Sequence, residues 1–279
     1  MREFYYRSAQ PALGQFPGSH RSRRGDSGHE FRSHVPITHA SDARRLDLLA
    51  SLRDPLGQWL VRLASERKAI PVYAVADLSA SMGYTGRHRR LDVLADFTES
   101  LAWSAWRTGD PFGFVGCDER VRPDWLQPPL LSRGAGSHLA QRLRGFAPTG
   151  RSAIGLADAH RVLRRQRSLV FLLSDFHLAV DELDRVLDSL ATHEVVPVLL
   201  WDRAEFEPPP ARSGLAPLAD AESGHRRLLW LRPALRGRWV ERIAARQAAL
   251  DALFRRHRLR PLRLLDGFDA EAVTQHFHR

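Results

Sequence analysis

The sequence predicts an α/β domain: an open, mostly parallel, doubly wound sheet with flanking helices. Two observations carry that prediction. Short apolar runs rich in Val, Leu and Phe recur at Val72–Ala76, Phe112–Cys117, Leu169–Leu173, Val195–Trp201 and Arg260–Leu265, the pattern of strands covered on both faces. Between the runs, apolar residues fall at helical spacing. Leu91, Leu94, Thr98, Leu101 and Ala105 make one stripe, and Val240, Ile243, Gln247, Leu250 and Phe254 make another. Strand and helix therefore alternate, which favours parallel pairing through crossovers.

The first 27 residues carry Gly, Pro, Ser and Arg without apolar periodicity and read as a flexible tail. The α/β domain is expected over 71–279, leaving 28–70 as an N-terminal extension. Residues 203–232 interrupt the alternation. Pro208-Pro209-Pro210 can continue neither a helix nor a central strand. Leu215–Leu218 and Leu228–Leu231 flank a polar stretch and suit an inserted β-hairpin turning around Gly224, with an irregular loop as the alternative.

At 279 residues and 43% hydrophobic, the chain can bury a full core. Its net charge of +10, from 42 basic and 32 acidic residues, favours acidic partners. Lys68 is the single lysine, however, and Arg interleaved with Asp and Glu is the usual composition of solvated helix faces. Cys117, the one cysteine, excludes an intrachain disulfide, fits a reducing compartment, and reads as a buried structural thiol within its apolar run. No window approaches the ~20 apolar residues of a membrane span, so a cytoplasmic protein without a membrane partner is expected. His29, His34, His39, His276 and His278 match no firm metal-ligand spacing.

The most informative stretch is Val72-Tyr-Ala-Val-Ala-Asp77-Leu-Ser79-Ala-Ser81-Met-Gly83. A buried strand ends on Asp77, and two hydroxyls follow at alternating positions. Short oxygen-bearing side chains at a strand end suit a hard divalent cation, which takes oxygen ligands and keeps some of its waters. Ligands of open α/β sheets bind beyond the carboxyl ends of strands where strand order reverses. Asp175 ends another apolar run, in Leu172-Leu173-Ser174-Asp175. If the two strands are neighbours, both carboxylates reach one crevice. A third segment, Thr149-Gly150-Arg151-Ser152, opens an expected helix to about Arg165, with Ser152 placed as its N-cap. Its hydroxyls can reach the same crevice.

These segments resemble the metal-ion-dependent adhesion site of von Willebrand factor A-type domains. That site joins Asp-x-Ser-x-Ser to a Thr from one loop and an Asp from another. The resemblance carries over onto Asp77, Ser79, Ser81 and Asp175. It sets Gly150-Arg151-Ser152-Ala153-Ile154 against a Gly-Gly-Thr-Asp-Leu pattern, making Ser152 the counterpart of the Thr and Thr149 the fallback. Ala153 stands where the family has an acid. A narrower resemblance, to a bacterial domain-of-unknown-function family encoded beside MoxR-type AAA+ ATPases, rests on Glu30-Phe31, on Asp42-Ala-Arg44-Arg45-Leu46-Asp47 and on Asp220-Ala-Glu222-Ser-Gly224. Its members include MxaS-type proteins, and it makes 28–70 a family-specific segment. Leu48 stands where relatives often have an aromatic.

The resemblance implies binding without turnover. The hydroxyls contact Mg²⁺ (with Mn²⁺ or Ca²⁺ as alternatives), the carboxylates anchor them, and an acidic residue of a partner completes the octahedron. The implied partner is a MoxR-type ATPase or its client, and the implied role is assembly or metal insertion. Two rival readings stand beside it. A metal-dependent hydrolase could use Asp77 as nucleophile, but Ser79 occupies the place of its usual second acid. A basic nucleic-acid binder has the charge but shows no recognised module.

Overall fold

The computed structural model describes residues 3–8, 17–21, 30–40, 42–65, 67–207, 214–219, 226–231 and 233–278. Pro208–Pro210 and the Asp220–Gly224 segment with its expected turn lie outside these residues, as does most of the stretch from 9 to 29. The chain divides into two compact units.

The smaller unit comprises residues 7–70 with 108–110. It contains two antiparallel strand pairs, β1 (Pro17–Arg21) with β4 (Arg67–Lys68) and β2 (Glu30–Pro36) with β3 (Leu60–Ser65), and a short helix α1 (Leu48–Leu52). The Asp and Arg residues preceding α1 act locally. Asp42 accepts from the Arg44 amide at 3.0 Å. Asp47 caps α1 by accepting from the Ala50 amide at 3.0 Å, and its other oxygen meets His34 Nε2 at 3.0 Å. Caps of this kind satisfy helix-start amides that otherwise lack partners.

The larger unit holds residues 1–6, 71–107 and 111–279. Its elements in chain order are β5 (Val72–Asp77), α2 (Arg90–Thr108), β6 (Phe112–Cys117), β7 (Val121–Leu130), α3 (Ala135–Gly145), β8 (Leu169–Ser174), α4 (Val180–Ser189), β9 (Glu194–Trp201), α5 (Arg203–Phe206), β10 (Gly214–Ala219), β11 (Arg226–Leu231), α6 (Pro233–Arg256), β12 (Leu262–Leu265) and α7 (Ala270–His278). The six-stranded sheet runs β12-β9-β8-β5-β6-β7, parallel throughout except for β7. Every residue of β5, β6 and β8 is buried, which explains their unbroken apolar runs. The chain moves from β5 to β6 on one side, then returns to β8 on the other and moves outward. Strand order thus reverses between β5 and β8, the two strands whose carboxyl ends lead into Asp77 and Asp175.

The helical stripe of α2 is fully buried, with Leu91, Leu94, Thr98, Leu101 and Ala105 each at 0% exposure. On α6, Leu250 and Phe254 are buried while Val240 is exposed. Strands β10 and β11 pair antiparallel in register from Gly214↔Leu231 to Ala219↔Arg226, forming the expected inserted hairpin. Cys117 is buried, and burial together with the Asp77 charge pushes its thiol far above the ordinary range.

Three features depart from expectation. Residues 3–6 do not behave as a tail. Phe4 is 1% exposed, its ring 5.6 Å from Phe97 and 6.2 Å from Phe268, and its amide donates to Ser104 Oγ at 3.2 Å. The Phe4-Tyr5-Tyr6 cluster is too short to show a periodicity, so only the tertiary structure shows Phe4 as an anchor. The helix expected from Ser152 to Arg165 is a 3₁₀ segment, Ile154–Arg161, with Ala153 as its N-cap. Gly155 lies so close to the Arg120 backbone that a Cβ would meet it at 2.5 Å, and the tight packing favours the narrower helix. Strand β7, with Pro123, Pro128 and Pro129, sits at the sheet edge, where proline costs no ladder bond.

Phe4→Ala should lower stability by about 3–5 kcal/mol, the usual cost of emptying a buried aromatic site. Urea unfolding measures it, and a tail residue would show no change.

Candidate metal centre

Asp77 terminates β5 in the middle of the sheet, 1% exposed, and its two oxygens are already engaged. Oδ1 accepts from the Ser79 amide at 2.9 Å and from Ser79 Oγ at 2.6 Å. Oδ2 accepts from Ser174 Oγ at 2.7 Å, across the β5–β8 boundary. Ser79 Oγ lies 3.1 Å from Ser81 Oγ. Asp175, also 1% exposed, is reached by the Ser81 hydroxyl and accepts from the His177 amide at 3.1 Å. Four of the expected site residues, Asp77, Ser79, Ser81 and Asp175, therefore form one hydrogen-bonded group.

The third loop is brought alongside by its backbone. Ser79 and Gly150 form a parallel bridge, and the Ala80 amide donates to the Gly150 carbonyl at 2.6 Å. A Cβ on Gly150 would come within 2.5 Å of Asp118 Cβ, so the close approach needs glycine there. Thr149 is exposed. Ser152 is half-buried and its hydroxyl accepts from the Ile154 amide at 3.2 Å, turned toward the start of its own 3₁₀ segment.

The loop bearing Asp175 is held in an unusual conformation. Phe176 has φ 55°, which costs a non-glycine residue energy and persists only when its surroundings impose it. Here Ser174 Oγ accepts from the Phe176 amide at 2.9 Å, the Phe176 ring packs 5.5 Å from Phe254, and Arg246 donates to the Phe176 and Leu178 carbonyls. The indole of Trp201 donates to the Asp175 carbonyl at 3.0 Å.

Residues that sequence reasoning missed complete the site. Arg90, 4% exposed, donates through one nitrogen to Asp175 Oδ2 at 2.8 Å and to the Ser81 carbonyl at 2.7 Å. Its other terminal nitrogen donates to Glu205 Oε2 at 2.7 Å, and His177 Nε2 lies 3.2 Å from Glu205 Oε1. Arg90 is the first residue of α2, where the helix dipole disfavours a cation, so its carboxylate partners must hold it there. Among the described residues its Nε is buried without an acceptor. Ser174 had a signal in directly preceding Asp175. Arg90 and Glu205 had none, being 115 residues apart.

The electrostatics follow from this set. Burial, then repulsion from Asp175, pushes the Asp77 carboxyl up to about 7 against the hydrogen bonds from Ser79 and Ser174. Burial also raises Asp175, but the charges of His177 and Arg90 and the Ser81 and His177 hydrogen bonds outweigh it and hold its carboxyl below the usual range. When Asp77, Asp175 and Glu205 are all ionised they outnumber the cations paired with them, Arg90 and, when protonated, His177. Oxygen-only donors with that balance fit a divalent cation. Elsewhere, Asp184, Asp188 and His257 bring ligand atoms within 4.8 Å of one another. Arg256 also pairs with Asp184, making this an ion-paired contact between α4 and the end of α6.

A parallel sheet that reverses at β5/β8, with Asp-x-Ser-x-Ser ending one of those strands and an Asp ending the other, defines a von Willebrand factor A-like domain. Residues 38–249 match the family described as protein of unknown function DUF58. The chain belongs to that family. It is 39% identical over 102 residues to an uncharacterized protein in the moxR 3′ region of Paracoccus denitrificans, a match covering 37% of this chain and 96% of that protein. Among solved structures, the conserved hypothetical protein BatB of Bacteroides thetaiotaomicron matches at 14% identity, covering 75% of this chain and 98% of that one, with a TM-score of 0.43. The SpRpn10 VWA domain matches at 10% identity over 75% and 95% of the two chains, with a TM-score of 0.39.

Proposed function

We propose that this protein is a non-catalytic adaptor that docks onto an acidic residue of a partner protein through a divalent cation, Mg²⁺ by preference. The observation that carries this reading is the hydrogen-bonded set of Asp77, Ser79, Ser81 and Asp175 at the reversal point of the sheet. In this reading Ser79, Ser81 and a third-loop hydroxyl, Ser152 or Thr149, contact the ion. Asp77 and Asp175 hold those hydroxyls and supply negative charge. A partner carboxylate takes the open position, as a cation bound by few protein carboxylates allows.

The relative in the moxR 3′ region supports a MoxR-type AAA+ ATPase, or its client, as the partner. The role we assign is assembly or metal insertion in that client. Among the described residues no helix is long and apolar enough to cross a membrane.

The test is capture of the neighbouring ATPase by immobilised full-length protein. Binding that survives salt but is released by a chelator is the expected result. Binding to DNA that collapses steeply with salt, with no chelator-sensitive capture, would overturn the adaptor reading.

A further inference from the structure

Arg90 and Asp175 are both buried in the proposed metal centre, where a closed ion pair between them would compete with a cation. Arg90 Nη1 donates to Asp175 Oδ2 at 2.8 Å and to the Ser81 carbonyl at 2.7 Å, whereas Nη2 donates to Glu205 Oε2 at 2.7 Å. Its Nε has no acceptor among the described residues, and the guanidinium carbon lies 5.2 Å from the centre of the Tyr84 ring. The tilt of the guanidinium is therefore set by what each terminal nitrogen holds. Arginine and carboxylate favour two parallel hydrogen bonds. Asp175 receives one from Arg90, because Glu205 holds the second nitrogen.

The fold places Glu205 for this through α5. Asp202 caps that helix by accepting from the Ala204 amide at 2.9 Å. The Phe206 ring packs 4.9 Å from that of Trp201, whose indole donates to the Asp175 carbonyl. Arg203 and Glu207 pair nearer the surface, with Asp266 and Arg87 respectively. Glu205 turns inward instead, 16% exposed, toward Arg90 and toward His177 Nε2 at 3.2 Å. A further cation near Asp175, Arg246, donates to the Phe176 and Leu178 carbonyls.

We infer that Glu205 is a positioning residue of the metal centre: by holding one side of the Arg90 guanidinium, it prevents a two-bonded Arg90–Asp175 pair and leaves Asp175 able to serve a divalent cation. This role rests on the metal-centre reading above and adds the residue that sets the affinity of that centre. Glu205 acts through the placement of Arg90, not through its own field.

Calorimetric titration of Mg²⁺ into the full chain at pH 8 tests the role in a double-mutant cycle with Arg90. Glu205→Ala frees Nη2 to turn onto Asp175, and the Mg²⁺ dissociation constant should rise about tenfold. Glu205→Gln removes the same charge but keeps an oxygen for Arg90 to donate to, so its rise should be smaller. In an Arg90→Met background, Glu205→Ala should change the dissociation constant by less than about twofold. A carboxylate acting through its field would weaken Mg²⁺ equally with and without Arg90, and equally as Ala or Gln; that result would overturn the proposal. Thermal melting confirms folding of each variant. Glu205→Gln carries the cycle if Glu205→Ala does not fold, and Arg90→Lys replaces Arg90→Met on the same condition. Absence of Mg²⁺ binding in the parent, or binding that Asp77→Asn leaves intact, would remove the metal centre and this role with it. Binding that depends on Asp77 but is unchanged by either Glu205 variant would remove this role and leave the centre standing.

Discussion

Asp77→Asn should abolish the response to Mg²⁺ while making the metal-free protein more stable. The parent should melt higher with Mg²⁺ than without it: at a concentration 100 times the dissociation constant, a site present only in the folded state adds about 2.7 kcal/mol. That corresponds to a rise in Tm of several degrees for a chain of this size. Removing the Asp77 charge removes an anchor of the site, so the variant should show no rise. A folded variant with the parent's full shift would place the ion elsewhere.

The gain in metal-free stability follows from proton linkage. The Asp77 carboxyl is raised from 3.8 to about 7 in the folded state, so between those values the native protein holds a proton that the unfolded chain has released. Its contribution is complete below about pH 4, declines as pH rises toward 7, and is gone above. A carboxyl raised that far is worth at most roughly 4 kcal/mol. Asparagine is neutral at every pH and should recover about 2–4 kcal/mol at pH 8. Asp175 has the opposite sign: its lowered carboxyl withdraws stability only in strong acid. Urea unfolding from pH 4 to pH 8 without metal should therefore show a decline that saturating Mg²⁺ flattens and Asp77→Asn removes. A flat metal-free profile in the parent would rule out the raised carboxyl.

The second large effect concerns Arg90. With its side chain 4% exposed against Asp175 at 2%, Arg90→Met should cost about 3–5 kcal/mol, the usual penalty for leaving a buried charge unpaired. The same substitution makes the site more negative, so Mg²⁺ should bind more tightly and restore part of the loss. Arg90→Lys keeps the charge but cannot span Asp175 and Glu205 in the same way, and it should fall between the two. The measurement is urea unfolding with and without Mg²⁺. If Arg90→Met were destabilised equally in both conditions, Arg90 would be a packing residue rather than the standing counter-charge of the crevice.

The sheet was readable because burial on both faces leaves no polar alternation. Phe112–Cys117 matches its strand end to end, and Leu169–Leu173 stops one residue short. The core of the site was readable because its signal is local: Asp77, Ser79 and Ser81 span five residues, and Asp175 ends an apolar run as they do. What could not be read depends on distant partners. Glu205 sits in a segment without periodicity and acquires its place only when the end of β9 meets the start of α2. Phe4 opens a three-residue aromatic cluster too short for a pattern, and its neighbours come from α2, β8 and the chain's last turns. Ser152 is a different case: the family resemblance puts it at a ligand's position, and its hydroxyl accepts from the Ile154 amide with a lone pair to spare.

The bond from the Ala80 amide to the Gly150 carbonyl has an evolutionary consequence. It fastens two loops by main-chain atoms alone, so the clasp does not depend on which side chains flank it. Mutation can then move a hydroxyl along 149–152 without undoing the clasp, while Gly150 itself, hard against Asp118, has nowhere to grow.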